Sequence, residues 1–406
     1  MTVIMYAIPF FFLLIGIELC AERIKNTDYY RLSDALTSLT LGIVSRAAGL
    51  AKSLVPFTLY YLALDSIAIV TLGSQWWVWV LAFVLYDFCY YWLHRMSHQV
   101  NILWAAHVVH HSSEDYNLTT ALRQTSGSFF GWIFYLPMAL LGIPVEIFIT
   151  VGALNLVYQF WVHTRHVPKL GWYEWFFVSP SNHRVHHAQN PAYIDRNYGG
   201  VFILWDRCFG TFQEELEHEP VIFGIRTRLK SWDPLWANIH VYAQLFSDAI
   251  HTRSWKDKCF IWFRRTGWRP ADVNEAYPLQ KTNLADFRKF DVTLESWLQK
   301  YGFVQHLILI AVTLLVLTSA QNLDTLPIWT AIAFIFFAGF SLGAVLARSS
   351  WLVVTESMKH VLLILSMMIL PAPDWLVVGL ISVSVLSWCG LLWCHFRSAK
   401  RAELNL

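Results

Sequence analysis

Histidines with short, regular spacing are the residues of this sequence best suited to chemistry. Ten of the sixteen histidines fall between positions 94 and 187. The motif His94-Arg-Met-Ser-His98 would place two imidazoles one helical turn apart on the same face. Two HxxHH motifs and a lone histidine complete the candidate metal ligands, which are His94, His98, His107, His110, His111, His163, His183, His186 and His187. Imidazole nitrogen binds iron, zinc and copper, and this spacing lets two or three rings converge on one ion.

The number of histidines favours two metal ions in one pocket. A single zinc ion is normally filled by about four ligands, and the motifs supply roughly twice that number. One isolated HxxxH motif is more often coincidence or ordinary surface than a metal site. Three neighbouring motifs without metal, however, would leave many buried imidazoles short of hydrogen-bond partners. The residue types alone leave iron and zinc open.

Carboxylates near the histidines are the candidate catalytic residues, because imidazole ligands are neutral and leave the metal charge for neighbouring groups to balance. Asp87 lies two helical turns before His94 on the same face, and Asp195 and Asp206 flank the third motif. An ionisable group inside a membrane span is costly and is therefore a functional candidate. Asp87 could equally hydrogen-bond within the helix bundle.

Three polar residues after the second motif are the candidate cofactor-binding residues, namely Tyr116, Asn117 and Arg123. They could position a cofactor or a lipid headgroup, or they could fix the loop. Farther along the chain, Glu356 and His360 stand one helical turn apart with Lys359 between them. These three residues are expected to form a polar cluster between helices rather than a second metal site.

The composition assigns these residues to a membrane protein. The chain has 406 residues, of which 56% are hydrophobic and 14% are charged, whereas a soluble chain carries about a quarter of its residues as charges. The net charge is +2 and no basic stripe is present, so nucleic acid is a poor candidate partner. The six cysteines form no CxxC pair, and a disulfide framework or a thiolate metal site is not expected.

About nine stretches are apolar and long enough to cross a bilayer as helices, which takes about 20 residues each. They fall at residues 3–20, 53–72 and 76–93, twice within 128–163, and at 303–320, 326–347, 351–370 and 375–396. Gly142-Ile143-Pro144 breaks the long run into a helical hairpin. We therefore expect an all-α integral membrane protein. Its parts are a histidine-box catalytic region at 1–212, a cytoplasmic or interfacial helical segment at 213–302 and a four-span region at 303–406.

Basic residues predict which side of the membrane the histidines face. With the N-terminus outside, the predicted outer connections at residues 73–75, 142–144, 321–325 and 372–373 contain no Lys or Arg. The histidine site is then cytoplasmic, where a lipid chain enters from the bilayer and a soluble reductant from the other side. No GxGxxG or CxxCH motif is present, so electrons are expected from an external donor.

The segment at 213–302 carries one clear helix signal. Asp233-Pro234 is a typical helix start, and Ile239, Ala243 and Phe246 then recur with helical period. This pattern is typical of a helix that lies at the membrane interface or packs against the catalytic region.

At the histidine motifs the sequence resembles the integral-membrane fatty acid hydroxylase and sterol desaturase superfamily. The stretches at 91–98, 107–124, 160–164, 197–200 and 205–211 are similar to its alkylglycerol monooxygenase branch. The resemblance implies a non-haem di-iron centre held by the nine histidines. It also implies that dioxygen and tetrahydrobiopterin hydroxylate the ether-linked carbon of a glyceryl ether. His166 does not match that branch, and Gln99 stands where the branch is expected to have Glu.

Three functional interpretations remain open on the sequence. The leading one is a membrane di-iron monooxygenase that hydroxylates, and so cleaves, ether lipids such as alkylglycerols. The second is a sterol or fatty-acyl desaturase or hydroxylase that takes electrons from cytochrome b5 or ferredoxin. The third is a metal transporter or sensor that catalyses no reaction. Transporters hold their ligands near the middle of the bilayer, whereas these histidine motifs follow the ends of predicted spans. The expected location is the endoplasmic reticulum in a eukaryote and the inner membrane in a bacterium.

Overall fold

The computed structural model describes residues 2–52, 54–127, 129–320 and 323–404, and helices are the regular structure of these residues. Among the described residues, β-type pairing is limited to three isolated bridges. The expected all-α class is confirmed. The α-helices are α1 Thr2–Lys25, α2 Leu32–Lys52, α3 Leu54–Ile67, α4 Trp76–Gln99, α5 Asn101–His111, α6 Leu118–Ala121, α7 Leu136–Leu140, α8 Val145–Trp161, α9 Pro180–His186, α10 Leu204–Cys208, α11 Pro234–His251, α12 Trp255–Phe260, α13 Ala271–Ala276, α14 Ser296–Ser319, α15 Thr325–Leu346, α16 Leu352–Ile369 and α17 Asp374–Leu404. Short 3-10 helices span Gly131–Tyr135, Gly171–Trp175 and Ile261–Phe263.

Six of the described helices are long and apolar enough to cross a membrane, namely Val3–Lys25, Trp76–Gln99, Ser296–Ser319, Thr325–Leu346, Leu352–Ile369 and Asp374–Arg397. They coincide with six of the predicted crossings. The other three predicted crossings fall in shorter helices, which are α3, the segment Gly131–Leu140 and α8. A total of nine crossings therefore stays a prediction. Residues 53 and 128, which begin two predicted crossings, and residues 321 and 322 of a predicted outer connection lie outside the described residues.

The predicted break in the long apolar run is confirmed. α7 ends at Leu140 and α8 begins at Val145. Between them Gly142 adopts a φ of +69°, a backbone conformation that residues other than glycine rarely adopt. A Cβ atom on Gly142 would also lie 1.9 Å from the carbonyl oxygen of Val70. This close approach requires glycine at the turn.

The structure forms two compact units, and the histidines belong to the first. This unit comprises Met1–Arg31, Lys52–Leu229 and Asn238–Lys289. Its core includes Val78 and Ala82 of α4 together with buried residues of α7 and α8. α4 also packs against α5 and α8. Apolar burial therefore holds α4 beside α8, and α5 packs alongside α4.

The second unit comprises Leu32–Ala51, Lys230–Ala237 and Phe290–Leu406. Contacts between α14, α15, α16 and α17 dominate it, and Val312, Ile335 and Leu363 lie in its apolar core. The predicted start of α11 is confirmed within this unit, because the helix begins at Pro234 and the Asp233 carboxylate accepts from the Leu235 amide at 2.8 Å.

The predicted polar cluster of the second unit is also confirmed. The Glu356 carboxylate accepts hydrogen bonds from Ser341 at 2.6 Å, from Tyr301 and from Lys359. His360 Nδ1 lies 2.5 Å from the Ser384 hydroxyl. The cluster thus links α14, α15, α16 and α17 through buried polar groups that satisfy one another.

Candidate metal centre

The nine candidate histidines meet in two neighbouring groups of the first unit. One group consists of His94, His98, His107, His111 and His186, and the other of His110, His163, His183 and His187. Within each group the ligand nitrogens lie within 4.8 Å of one another. The groups adjoin, because the stacked rings of His111 and His187 have centroids 4.4 Å apart. The fold therefore brings together all the histidines that the sequence selected.

Four segments of the chain deliver these rings. The first motif ends α4, the second ends α5, and His163 follows the end of α8 by two residues. His183 and His186 of the third motif lie on α9, and His187 directly follows it. This helix is only seven residues long and is held by its caps. Ser179 Oγ accepts from the Asn182 amide at 3.2 Å, and Pro180 occupies the first turn. Such caps stabilise a helix too short to be stable by itself.

The ring nitrogens that face each other are Nε2 atoms. In the first group the Nε2 atoms of His94 and His107 are 3.0 Å apart. In the second group His163 Nε2 lies 3.1 Å from His183 Nε2 and 3.3 Å from His110 Nε2. Two nitrogen ligands about 2.1 Å from one ion, at right angles to each other, are roughly 3.0 Å apart. The observed spacing would therefore suit ligands that share one ion.

The opposite nitrogen of four rings is held by a backbone carbonyl group. Nδ1 of His94, His110, His163 and His186 lies 2.8, 3.0, 2.7 and 2.9 Å from the carbonyl oxygens of Tyr198, Arg123, Gln159 and Arg196, respectively. Because a carbonyl oxygen only accepts, Nδ1 donates, and the proton of each neutral ring is on Nδ1. The Nε2 lone pair of each ring is then free to bind a metal ion.

Burial keeps these imidazoles neutral. Desolvation lowers the pKa of His110 to about 4. The pKa values of His107, His111, His183 and His187 also lie well below the usual range, first because of burial and then because of the neighbouring imidazoles. Neutral imidazole is the form that binds metals.

Metal ions fit this donor set. Unprotonated nitrogens about 3 Å apart repel each other unless a cation lies between them. His186 Nε2 is buried without a hydrogen-bond partner among the described residues, which is costly unless something binds there. Both groups consist of imidazoles alone. Imidazole ligands suit iron and zinc alike.

Asp87 is a buried carboxylate that accepts hydrogen bonds from two other segments of the chain. Its Oδ1 accepts from Asn155 Nδ2 at 2.7 Å and from the Val201 amide at 2.8 Å. Its Oδ2 accepts from the Phe202 amide at 2.9 Å and from Trp205 Nε1 at 3.0 Å. These contacts correspond to the interpretation in which Asp87 hydrogen-bonds within the helix bundle, here as the anchor of the 201–205 segment on α4.

Asp206 holds the neighbouring part of the same segment. Its two carboxylate oxygens accept from the backbone amides of Tyr198 and Gly199, both at 2.8 Å. The carbonyl group of Tyr198 is the acceptor for His94 Nδ1 at 2.8 Å. Asp206 therefore helps to position the His94 ring, a candidate ligand, through the backbone, and the sequence offered only its nearness to the third motif as a signal.

Asp195 is the predicted carboxylate nearest to a ligand ring. Its Oδ1 lies 3.9 Å from His98 Nδ1, and its Oδ2 lies 3.8 Å from an Arg265 nitrogen. Its backbone adopts a φ of +60°, an uncommon conformation that aspartate tolerates better than most residues. Burial raises the pKa of Asp195. This carboxylate lies behind His98, on the side away from the Nε2 atom.

The predicted cofactor-binding residues are buried and bonded to the protein. The Tyr116 hydroxyl donates to the Val162 carbonyl at 2.9 Å. Asn117 caps α6 and donates to the Tyr29 carbonyl at 2.8 Å. Arg123 donates to the Ser112 hydroxyl at 2.9 Å, and its own carbonyl orients His110. These contacts correspond to the interpretation in which the three residues fix the loop after the second motif.

Glu18, an acid inside the apolar α1, links the segment that follows the second motif to the segment that follows His163. Its carboxylate accepts from the Leu118 amide at 2.8 Å and from the hydroxyls of Thr164 and Tyr30. Leu118 begins α6, beyond the second motif, and Thr164 directly follows the ligand His163. The sequence signal was a carboxylate in a membrane span, but its partners could not be read from the sequence.

Two further carboxylates hold the loop after the second motif through ion pairs. Arg228 donates to both Glu114 oxygens, at 2.6 and 2.7 Å. The buried Asp115 accepts from Arg31 at 2.7 Å and from Lys289 at 2.5 Å. Segments far apart in the sequence are thereby fastened beside the histidines.

Known proteins match both the histidine region and most of the chain. A family model described as Fatty acid hydroxylase matches residues 79–211. The Alkylglycerol monooxygenase of Xenopus tropicalis is 35% identical over 359 residues, which are 88% of this chain and 80% of that protein. The Danio rerio protein of that name is 35% identical over 88% of this chain and 81% of its own length. The Homo sapiens protein of that name is 41% identical over 65% of this chain and 59% of its own length. No solved structure gives a significant match.

The resemblance inferred from the histidine motifs is confirmed by these matches. The residues matched by the family model include all nine histidines. Two of the matches extend over 88% of the chain and about four fifths of the relative. This chain therefore belongs to the alkylglycerol monooxygenase family of membrane oxidoreductases.

Proposed function

We propose that this chain is an ether-lipid monooxygenase that uses dioxygen and tetrahydrobiopterin to hydroxylate the ether-linked carbon of an alkylglycerol. The observation that carries the proposal is the convergence of nine imidazoles in two adjacent groups, in a chain similar over most of its length to proteins named for this activity. The family supports an enzyme over a metal transporter or sensor.

The proposed reaction balances with one external reductant. One oxygen atom of dioxygen is inserted into the C–H bond beside the ether oxygen, and the other leaves as water. Tetrahydrobiopterin supplies two electrons and two protons. The product is a hemiacetal. It breaks the bond between its carbon and the glycerol oxygen, and the hydroxyl proton moves to that oxygen, which gives a fatty aldehyde and glycerol.

The protein groups around the site would act by holding the ligands in place. Two iron ions, bound by the nine histidines, would supply the activation of dioxygen. Backbone carbonyl groups fix the orientation of four rings. We propose Asp195 as the carboxylate that balances charge behind His98, and Asp87 as an anchor for the 201–205 segment. Tyr116, Asn117 and Arg123 would support the reaction by keeping His110 and His163 in position rather than by touching the pterin.

The location and topology of the enzyme are part of the proposal. We propose nine crossings and a cytoplasmic site, in the endoplasmic reticulum of a eukaryote or the inner membrane of a bacterium. The absence of Lys and Arg from the predicted outer connections supports this orientation.

Product analysis tests the function. The purified, iron-loaded protein would be incubated with a chain-labelled alkylglycerol, tetrahydrobiopterin and oxygen-18 dioxygen. We expect a labelled fatty aldehyde carrying oxygen-18 when it is trapped by rapid reduction, and none without the pterin. A double bond in an intact ether lipid would instead support the desaturase alternative. Turnover with cytochrome b5 or ferredoxin but not with the pterin would contradict the proposed reductant.

A further inference from the structure

An apolar stripe of α11 is exposed on the first unit although it lies in none of the six long apolar helices. The stripe consists of Ile239, Ala243, Phe246 and Ile250, whose spacing of three and four residues puts them on one helix face. Ile239, Phe246 and Ile250 are each more than half exposed. The following segment adds three exposed aromatic residues, Trp255, Phe260 and Phe263. These seven residues are called the α11–α12 face below.

The opposite side of this segment is fastened to the helix that carries the second histidine motif. Leu245 and Ile261 are buried together with Ala105 of α5. Asn101, the first residue of α5, donates to the Ile261 carbonyl at 2.9 Å and accepts from the Gly267 amide at 3.0 Å. The inner side is therefore rigidly attached, so the exposure of the outer face does not result from a loose segment.

Basic residues accompany the aromatic end of the face. Residues 253–265 contain five Lys or Arg and one acid, Asp257. Lys256 and Arg264 are exposed. Asp248, the acid of α11, is buried. Its carboxylate accepts two hydrogen bonds from the Arg269 guanidinium, at 2.7 and 2.8 Å. The charge that the face presents outward is therefore positive.

We propose that the α11–α12 face lies in the headgroup region of the bilayer leaflet and binds anionic lipid there. A helix with an apolar outer stripe and cations at its end is typical of a segment lying in the membrane plane. Anionic headgroups attract Lys and Arg near the surface, while Trp and Phe occupy the boundary with the acyl chains. A soluble acidic protein would match the cations but would leave the stripe of Ile239, Phe246 and Ile250 exposed to water.

The contact has a consequence for the metal centre. α5 is attached to this segment at its first residue and carries His107, His110 and His111 at its other end. A segment seated in the headgroups would fix the depth of α5 relative to the leaflet from which a lipid substrate enters. The inference concerns membrane contact and does not depend on the reaction proposed above.

Spin-label accessibility in lipid nanodiscs tests the proposal on the full chain. Single labels would be placed by Phe246→Cys and Phe260→Cys, and by Glu275→Cys as a control on an exposed position of α13. The background would have Cys20, Cys208, Cys259 and Cys389 replaced by serine, because these native cysteines are exposed. The melting temperature in detergent would be measured for every variant to verify folding.

We expect oxygen, which concentrates in the bilayer, to relax the labels at 246 and 260, and a water-soluble nickel chelate to relax the label at 275. The ratio of the two effects should differ by at least about ten-fold between the face and the control. Equal nickel relaxation at all three positions would overturn the proposal. Dipolar broadening at 246 that appears only in discs holding two chains would overturn it in favour of a second copy.

The lipid charge is tested by reversing the exposed cations. Lys256→Glu combined with Arg264→Glu should lower the oxygen-to-nickel ratio at 260 in discs containing phosphatidylserine, and should have less effect in discs of phosphatidylcholine alone. The matched control is Lys256→Gln with Arg264→Gln, whose effect should be intermediate. The same ratio for all variants in both lipids would overturn the role of anionic headgroups.

Discussion

At the scale of single residues, the function of each histidine is decided by which of its two nitrogens is free. For His94, His110, His163 and His186 a backbone carbonyl accepts a hydrogen bond from Nδ1, which leaves the Nε2 lone pair free to bind a metal ion. His166 differs, because its ring is 5.0 Å from that of Tyr29 and belongs to neither histidine group. The chain therefore contains its own control for the effect of losing a histidine near the site.

Replacing a ligand should remove metal, whereas replacing the nearby non-ligand should not. We expect His183→Ala to lose about half of the bound iron and to lower turnover by more than about 100-fold, since loss even of a group supporting a ligand costs 10–100-fold. His166→Ala should keep the iron and most of the activity. Iron counted by mass spectrometry beside protein concentration checks this. Full iron in His183→Ala would show that His183 is not a ligand.

The histidines could be selected from the sequence because helical spacing alone brings His94 beside His98 and His107 beside His111. The division of the histidines into two groups could not be predicted from the sequence, since the histidines of the second motif are shared between the two groups. His110 joins the group of His163, while His107 and His111 join that of His94. The partition depends on how α5, α9 and the loop after α8 pack, which no local pattern specifies.

At the scale of elements, the centre depends on loops that are tied by buried carboxylates. Glu18 joins the loops at Leu118 and Thr164, and Asp206 supports the carbonyl that orients His94. Such partners are separated by up to 146 residues in sequence. An acid in an apolar run signals that a partner exists, but not which one.

Removing the Glu18 carboxylate should loosen the centre. Glu18→Leu leaves a buried amide and hydroxyls without an acceptor, at a cost of about 1–3 kcal/mol for each unsatisfied group. We expect less bound iron and a lower melting temperature in detergent, with partial recovery in Glu18→Gln. Glu22→Leu, one helical turn away, is the control, because the hydrogen bonds described for Glu22 go to residues 27–30. Its other contact is with His166, at 3.7 Å, which belongs to neither histidine group. Equal effects of Glu18→Leu and Glu22→Leu would contradict a specific role for Glu18.

The Arg228–Glu114 pair makes a separate prediction about the loop after the second motif. Both partners are largely buried and the contact is bidentate, so the pair should contribute more than an exposed one. A double-mutant cycle with Arg228→Ala and Glu114→Ala should give a coupling energy of about 1–3 kcal/mol in detergent unfolding. Additive effects of the two changes would show that the ion pair contributes nothing.

At the scale of the whole molecule, composition and hydropathy predicted the all-α class and six of the spans, because apolar runs of about 20 residues have few alternatives to a crossing helix. The shorter helices α3 and α8 do not carry this signal by themselves. α2 has less apolar character and was not among the predicted crossings.

The proposed topology predicts which connections can be labelled from outside. Ser74→Cys lies in a predicted outer connection, and Glu217→Cys lies in the segment proposed to be cytoplasmic. We expect an impermeant maleimide to label position 74 in intact cells or sealed vesicles, and to label position 217 only after the membrane is permeabilised. Labelling of both positions before permeabilisation, or the reverse pattern, would contradict the topology.

The most direct test of the central claim is Mössbauer spectroscopy of the protein loaded with iron-57, combined with an iron count per chain. The account predicts two iron ions per chain in nitrogen-rich environments, with about one remaining in His183→Ala. One ion or none in the wild-type protein after loading under reducing conditions, or a count that His183→Ala leaves unchanged, would contradict a two-ion centre built from the two histidine groups.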